Sequence, residues 1–265
     1  SVLGVALLER TKRKVMPTPL GLQVAEKARL VLQHSADLVE VAQGQKAVLT
    51  GPLRLGLIPT IGPFLLPKVL AGIRRQFPLL ELYLVEDQSH GLLKRLDIGE
   101  IDGAILALPY DLGRLEHQTF WQEIFWVAFP ARHAMAQGGA ISSAKLPMDE
   151  LMILEEGHCL ADHALSACHK TEQRNQALFQ GTSLYTLIEM VAGGQGITFL
   201  PEMAVDSAIV TQSDIALRRL ADKGPHREIS LVWRPTYRRK KDLSLLAECI
   251  GERIAQSCGS YSESK

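Results

Sequence analysis

From residue 53 onward the chain alternates short apolar runs with amphipathic stretches, and this alternation constrains its architecture more than any other feature. Leu53–Leu57, Glu81–Glu86 and Gly103–Leu108 have the length and composition of strands. Between them, Phe64–Gln76 and His90–Ile98 carry helical periodicity, the second stopping at Gly99. A similar unit follows, with strands expected over Glu123–Phe129, Leu151–Leu154, Ala177–Gly181 and Gly196–Leu200 and helices over Cys159–Lys170 and Ser183–Ala192. A late strand, Glu228–Arg234, and a closing helix, Leu243–Ala255, complete the pattern. Strands separated by helices predict mostly parallel sheets covered on both faces, so the expected class is α/β with two similar subdomains. The run Gly193-Gly194-Gln195-Gly196 lies between a helix and the next strand, the reverse of a dinucleotide fingerprint, and is expected to terminate the helix. A Walker lysine, an HExxH zinc motif and a nucleophile elbow are all missing.

The first fifty residues are organised differently. Residues 5–17 place a basic stretch between two apolar ones and predict a short hairpin. Thr18-Pro19 then supplies a cap and first-turn proline for a helix running to about residue 47. Leu20, Val24, Ala28, Val31, Leu32, Leu38, Val39 and Ala42 recur along it at three- and four-residue steps. One such stripe on a long helix with no sheet beside it predicts a linker that dimerises. Formal net charge is zero, but Arg10, Lys12, Arg13 and Lys14 cluster at this end, a pattern that permits nucleic-acid contact.

At 265 residues and 46% hydrophobic content the chain is long enough for two domains with their own cores. It has no apolar run of membrane length and no secretion-signal pattern, and four cysteines are too few for a secreted disulfide scaffold. A reducing, cytoplasmic setting is the expectation, in which a disulfide is transient.

Against that background Cys159 and Cys168 stand out, nine residues apart in a segment with helical composition. Nine helical steps separate Cα atoms by roughly 13 Å and turn the side chains to nearly opposite faces, whereas a disulfide needs Cα atoms within about 7 Å. Bonding therefore demands that the segment be remodelled, which suits a redox switch. Cys159 is expected in the first turn, near the positive end of the helix dipole, with His158, Asp162 and His163 as neighbours favouring a thiolate. Two alternatives stay open. Both cysteines are ordinary small apolar residues, or His158, Cys159, His163, Cys168 and His169 hold a metal, although the close Cys pairs of structural zinc sites are missing.

The stretch Leu3-Gly4-Val5-Ala6-Leu7-Leu8-Glu9-Arg10, with Pro17-Thr18-Pro19-Leu20-Gly21, resembles the end of the winged helix-turn-helix of LysR-type transcriptional regulators. Leu53–Pro63, Leu106-Ala107-Leu108, Gly157-His158-Cys159-Leu160 with Cys168, Thr182-Ser183-Leu184 and Gly196–Pro201 resemble the peroxide-sensing members of that family. The resemblance spans essentially the whole chain and implies a transcriptional activator, not an enzyme, without cofactor or metal. It implies a peroxidatic role for Cys159 and a resolving one for Cys168. Peroxide would be held by Thr60, Ser89, His158 and Asp162, with Ser89 standing where relatives usually carry a threonine. Cys249 and Cys258 share the spacing but lie outside the motif.

The implied organisation is a wing remnant over residues 1–17 and a linker helix over 18–49. One regulatory subdomain is built from 50–122 with 229–258 and a second from 123–228. Implied partners are hydrogen peroxide, a second copy in a dimer or tetramer, reducing dithiol proteins, RNA polymerase and promoter DNA, with no membrane. The family's DNA-reading helix would precede residue 1, so the sequence is expected to be a fragment, with Arg10, Lys12, Arg13 and Lys14 contributing phosphate contacts alone. Rival expectations are a metabolite sensor with Thr60, Thr182 and Ser183 lining a cleft between the subdomains, a solute-binding protein, and a thiol peroxidase that turns over.

Overall fold

The computed structural model describes residues 3–10, 14–42, 48–155, 159–167, 179–221 and 227–258. Strands β1 (Leu8–Arg10) and β2 (Val15–Pro17) form a small antiparallel ribbon. The Thr18 backbone N–H donates to the Leu7 carbonyl at 3.0 Å, and its hydroxyl accepts from the Gly21 N–H at 2.9 Å, closing the ribbon onto the first turn of α1 (Pro19–Ala42). Much of the expected stripe is open to solvent: Leu20, Val31 and Leu32 are 41, 66 and 69% exposed, while Val24 is half-buried.

Beyond α1 lie two five-stranded sheets. The first has the order β4-β3-β5-β12-β6, from β3 (Gly51–Leu57), β4 (Leu80–Glu86), β5 (Gly103–Leu108), β6 (Glu116–Glu123) and β12 (Arg227–Trp233). Helices α2 (Gly62–Gln76) and α3 (Ser89–Asp97) make its crossovers, and α7 (Lys240–Cys258) packs on α2 and β6. The second has the order β11-β7-β10-β8-β9, from β7 (Phe125–Pro130), β8 (Leu151–Leu154), β9 (Phe179–Gly181), β10 (Ile197–Pro201) and β11 (Ile215–Arg219). Helices α4 (Cys159–Ala167), α5 (Leu184–Ala192) and α6 (Ala208–Gln212) accompany it.

The sheets are mixed, which corrects the mostly parallel expectation. β3 pairs in parallel with β4 and β5, and β8 with β9 and β10. β12, however, returns from the second unit and pairs antiparallel with β5 and β6, while β7 runs antiparallel to β10 and β11. Two strands and one short helix, β6, β11 and α6, escaped sequence analysis, and the expected strand from Glu123 begins at Phe125.

Two glycines matter to the site. Gly56 lies under Leu92 of α3, where a Cβ would come within 2.5 Å of the leucine side chain, so α3 packs closely on β3 and fixes Ser89 at its own first turn. Gly194 has φ +77, and the Gly193 N–H donates to the Glu189 carbonyl, so these glycines end α5 as expected. Among the described residues no helix is long and apolar enough to cross a membrane.

Candidate functional site

Cys159 opens α4, which docks on β8 and β10. Its thiol is free and only 6% exposed. Ser89, at the start of α3 and 1% exposed, brings its Oγ to 3.1 Å from Cys159 Sγ. One partner donates and the other accepts, and because both are buried the contact is shielded from water. It joins a helix of the first sheet's unit to a helix of the second.

Burial dominates the electrostatics of this thiol and pushes its pKa up. The Ser89 hydrogen bond and the Arg227 guanidinium pull it down, and the Asp162 carboxylate pushes it further up. This corrects the expectation that neighbouring groups leave Cys159 thiolate-like. Asp162 adds a like charge to the one that would form, and burial outweighs the helix terminus. Asp162 itself is on the exposed side of α4.

Thr60 follows β3 and is 2% exposed. Arg227 Nη1 donates to Thr60 Oγ1 and Nη2 to the Thr60 carbonyl, each at 3.3 Å. The Arg227 Nε–H donates to Glu123 Oε1, and Glu123 Oε2 accepts from the Met203 backbone N–H at 3.0 Å. Both members of this ion pair have side chains with no exposed surface, and the guanidinium lies 5.8 Å from the centre of the Phe125 ring. Arg227 therefore faces both Cys159 and Thr60. Sequence analysis missed it, along with Glu123. Tyr110 was missed too: burial raises its pKa first, and the Cys159 charge raises it further.

Other expected residues fall elsewhere. His158, Cys168 and His169 lie outside the described residues, as do Lys12 and Arg13, while Arg10 and Lys14 are exposed on or beside the ribbon. Among the described residues no three His, Cys, Asp or Glu side chains are grouped to hold a metal. Thr182 is exposed and Ser183 half-buried, at the start of α5. Thr60 is sealed by Arg227 and does not line an open cleft. Cys249 is buried between α7 and α2, where Arg253 Nε–H donates to its sulfur at 3.3 Å; the Cys258 side chain is outside the description.

Known proteins resemble this chain in sequence and fold. Residues 46–255 match the family model described as the LysR substrate binding domain. The chain is 39% identical to the DNA-binding transcriptional dual regulator OxyR of Escherichia coli strain K12, over 95% of this chain and 82% of that one. It superposes on the reduced regulatory domain of OxyR2 from Vibrio vulnificus with a TM-score of 0.73 at 38% identity, covering 79% of this chain and 98% of that one. A hydrogen-peroxide-bound cysteine mutant of OxyR from Corynebacterium glutamicum gives a TM-score of 0.76 at 29% identity, covering 97% of this chain and 81% of that one. A family model matched over most of the chain, joined to relatives this similar over about four fifths or more of their length, settles the affiliation: the chain belongs to the LysR-type transcriptional regulators, among relatives named OxyR.

Proposed function

We propose that this chain is a peroxide-sensing, DNA-binding transcriptional activator whose signal is the oxidation state of Cys159. The observation that carries the reading is a free, buried thiol at the first turn of a short helix, hydrogen-bonded to Ser89 and faced by Arg227. In the first step Cys159 sulfur, as thiolate, attacks one peroxide oxygen. The O–O bond breaks, Cys159 becomes a sulfenic acid, and hydroxide leaves as water after taking a proton. Cys168 then attacks the sulfenic sulfur as thiolate; the S–O bond breaks, the disulfide forms, and the expelled hydroxide takes a proton to leave as a second water. Reducing dithiol proteins reverse it, and the setting is cytoplasmic. Thr60 and Ser89 orient the peroxide, with His158 and Asp162 completing the polar surround. Thr60 suits this role because its Oγ1 accepts from Arg227, leaving its own proton to donate.

The disulfide drives remodelling. From Cys159 to Ala167 the helix rises eight steps, about 12 Å, so α4 must unwind before Cys168 comes within bonding range. Since α4 bridges the two sheet units through Ser89, its loss alters how they sit and how copies pack in a dimer or tetramer. The ribbon β1–β2 is the wing beside the DNA-reading helix, and α1 is the linker. Promoter DNA and RNA polymerase are the downstream partners.

The test is peptide mapping after stoichiometric peroxide. A Cys159–Cys168 bridge is expected; both thiols free, or Cys249–Cys258 as the main bridge, sinks the reading. In a second measurement, Thr60→Val is expected to slow peroxide oxidation of Cys159 at least tenfold while slowing a bulky alkylating agent far less. Positioning of reactants alone is worth several kcal/mol of barrier. Equal losses for both reagents would move Thr60 from peroxide binding to support of the fold. Third, the exposed stripe of α1 leads us to expect a dimer or larger species by light scattering at micromolar concentration, and Leu32→Glu to shift it toward monomer. A monomeric wild type removes the dimerising role from α1.

A further inference from the structure

The reaction above leaves one buried titratable side chain unused. His163 follows Cys159 by four residues, so both project from one face of α4. It is 4% exposed, and its Nε2 lies 2.8 Å from the Pro109 carbonyl oxygen. A carbonyl only accepts, so Nε2 carries the hydrogen and Nδ1 of the neutral ring is a bare acceptor. That Nδ1 is buried and has no hydrogen-bond partner among the described residues. A second proton would sit on Nδ1 with nothing to receive its hydrogen bond. Burial, the largest influence, holds this imidazole below its usual pKa, and the Arg227 charge acts in the same sense; the Pro109 carbonyl and Asp162 oppose them.

Pro109 follows β5 in the first sheet's unit, whereas α4 belongs to the second. The histidine bond therefore ties the switch helix across the two units, as the Ser89–Cys159 contact does one turn earlier. We propose that His163 is a positioning residue of the switch: its neutral ring latches α4 to the Pro109 carbonyl in the reduced arrangement, and proton uptake at Nδ1 favours release of the helix and hence the disulfide form. The inference rests on the Cys159–Cys168 disulfide proposed above.

The sign follows from proton counting. The latched form binds fewer protons at His163 than the released form. It therefore loses relative stability as pH falls through the ring's ordinary pKa of about 6.5. The charges that act on the ring are Arg227, held by its partner Glu123, and Asp162. Cys159, bonded to Ser89 of α3, lies one turn before it on α4, and Tyr110 and Asp111 follow Pro109 on the loop after β5. The strands under α4, β8 and β10, offer apolar side chains and Thr198. A substitution at His163 leaves every one of these in place.

The experiment is redox equilibration of the full chain with glutathione between about pH 5 and pH 7. The protein disulfide and two glutathione thiols give the protein dithiol and oxidised glutathione. One S–S bond breaks, another forms, and two electrons with two hydrogens pass to Cys159 and Cys168. No net proton enters, so the constant is flat with pH while all thiols stay protonated. If redocking α4 also expels a proton from His163, and the latched ring takes up none across this range, the constant for reduction falls about twentyfold from pH 7 to pH 5, nearing tenfold per unit at the acid end.

His163→Gln is expected to be flat, because its amide still donates to the carbonyl without titrating. His163→Leu is expected to be flat but displaced toward the disulfide at every pH, because the donor is gone. A wild-type constant changing less than threefold, with the bridge formed, overturns the latch and leaves the disulfide standing, and it does so whether or not either variant folds. An acid slope kept in His163→Gln assigns the proton to another group and also overturns the latch. Mapping that finds no Cys159–Cys168 bridge overturns both.

Discussion

Replacing Cys159 with serine is expected to abolish peroxide sensing outright: no oxygen adduct, no disulfide and no change in oligomer after stoichiometric peroxide. Serine fits the space and keeps a hydrogen-bonding atom directed at Ser89, which lies 3.1 Å from the cysteine sulfur, so the fold should survive while the nucleophile disappears. Replacing Cys168 with serine is expected to divide the reaction at its midpoint. Cys159 should still gain one oxygen, trappable as a sulfenic acid, but no bridge should follow and α4 should stay docked. Intact mass with a sulfenic-acid trap reads the first outcome, and hydrogen exchange over α4 reads the second. A Cys168→Ser protein that opens α4 as fully as wild type does would place the trigger in the first oxidation rather than in the disulfide. The raised pKa of Cys159 adds a pH signature. Since the thiolate attacks, oxidation should accelerate by about tenfold per pH unit from neutrality toward that pKa.

How much of this was legible beforehand depends on how local each feature is. The proposed pairing of Cys159 with Cys168 rests on a spacing within one segment, which is read without a fold. The β1–β2 ribbon, α1 and most other elements follow from caps, periodicity and breakers. Thr60 and Ser89 were singled out as peroxide ligands only through resemblance; both are buried, Ser89 against Cys159 and Thr60 against Arg227, which suits the role proposed for them. Arg227 was not legible at all. It lies 167 residues from Thr60 and 104 from Glu123, and in sequence it is one cation among 29 lysines and arginines. Only the return of β12 beside β5 and β6 brings it into the core. The same return explains the failed expectation of parallel sheets, because a strand arriving from the other unit enters without a helical crossover beside it. β6 escaped because its sequence, Glu-His-Gln-Thr-Phe-Trp-Gln-Glu, is mostly polar and its outer face is exposed. His163 was noticed as a possible ligand, but its bond to Pro109 spans 54 residues and depends on how α4 docks.

Arg227→Met is expected to be the most destabilising substitution at the site. It leaves the Glu123 carboxylate buried, with the Met203 N–H as its remaining donor among the hydrogen bonds described for it in the core, and it strips both Arg227 hydrogen bonds from Thr60. Removing one member of a buried pair costs about 3–5 kcal/mol, because the survivor's desolvation is no longer offset. Glu123→Gln should cost less, since the amide still accepts from the Met203 N–H and the arginine keeps its Thr60 contacts and its place over Phe125. The double substitution should recover part of the arginine loss, because no isolated carboxylate remains. Arg227→Lys should fall between them, since a single ammonium cannot span Glu123, Thr60 Oγ1 and the Thr60 carbonyl together. Urea unfolding of the four variants reads the cycle. An Arg227→Met loss below about 1 kcal/mol, or strict additivity in the double variant, would mean that the pair is not the buried, mutually dependent unit described here. Where Arg227→Met does fold, its thiol should also react more slowly with peroxide, for the arginine is a positive group that lowers the Cys159 pKa. Stability and reactivity are expected to fall together because one guanidinium serves both.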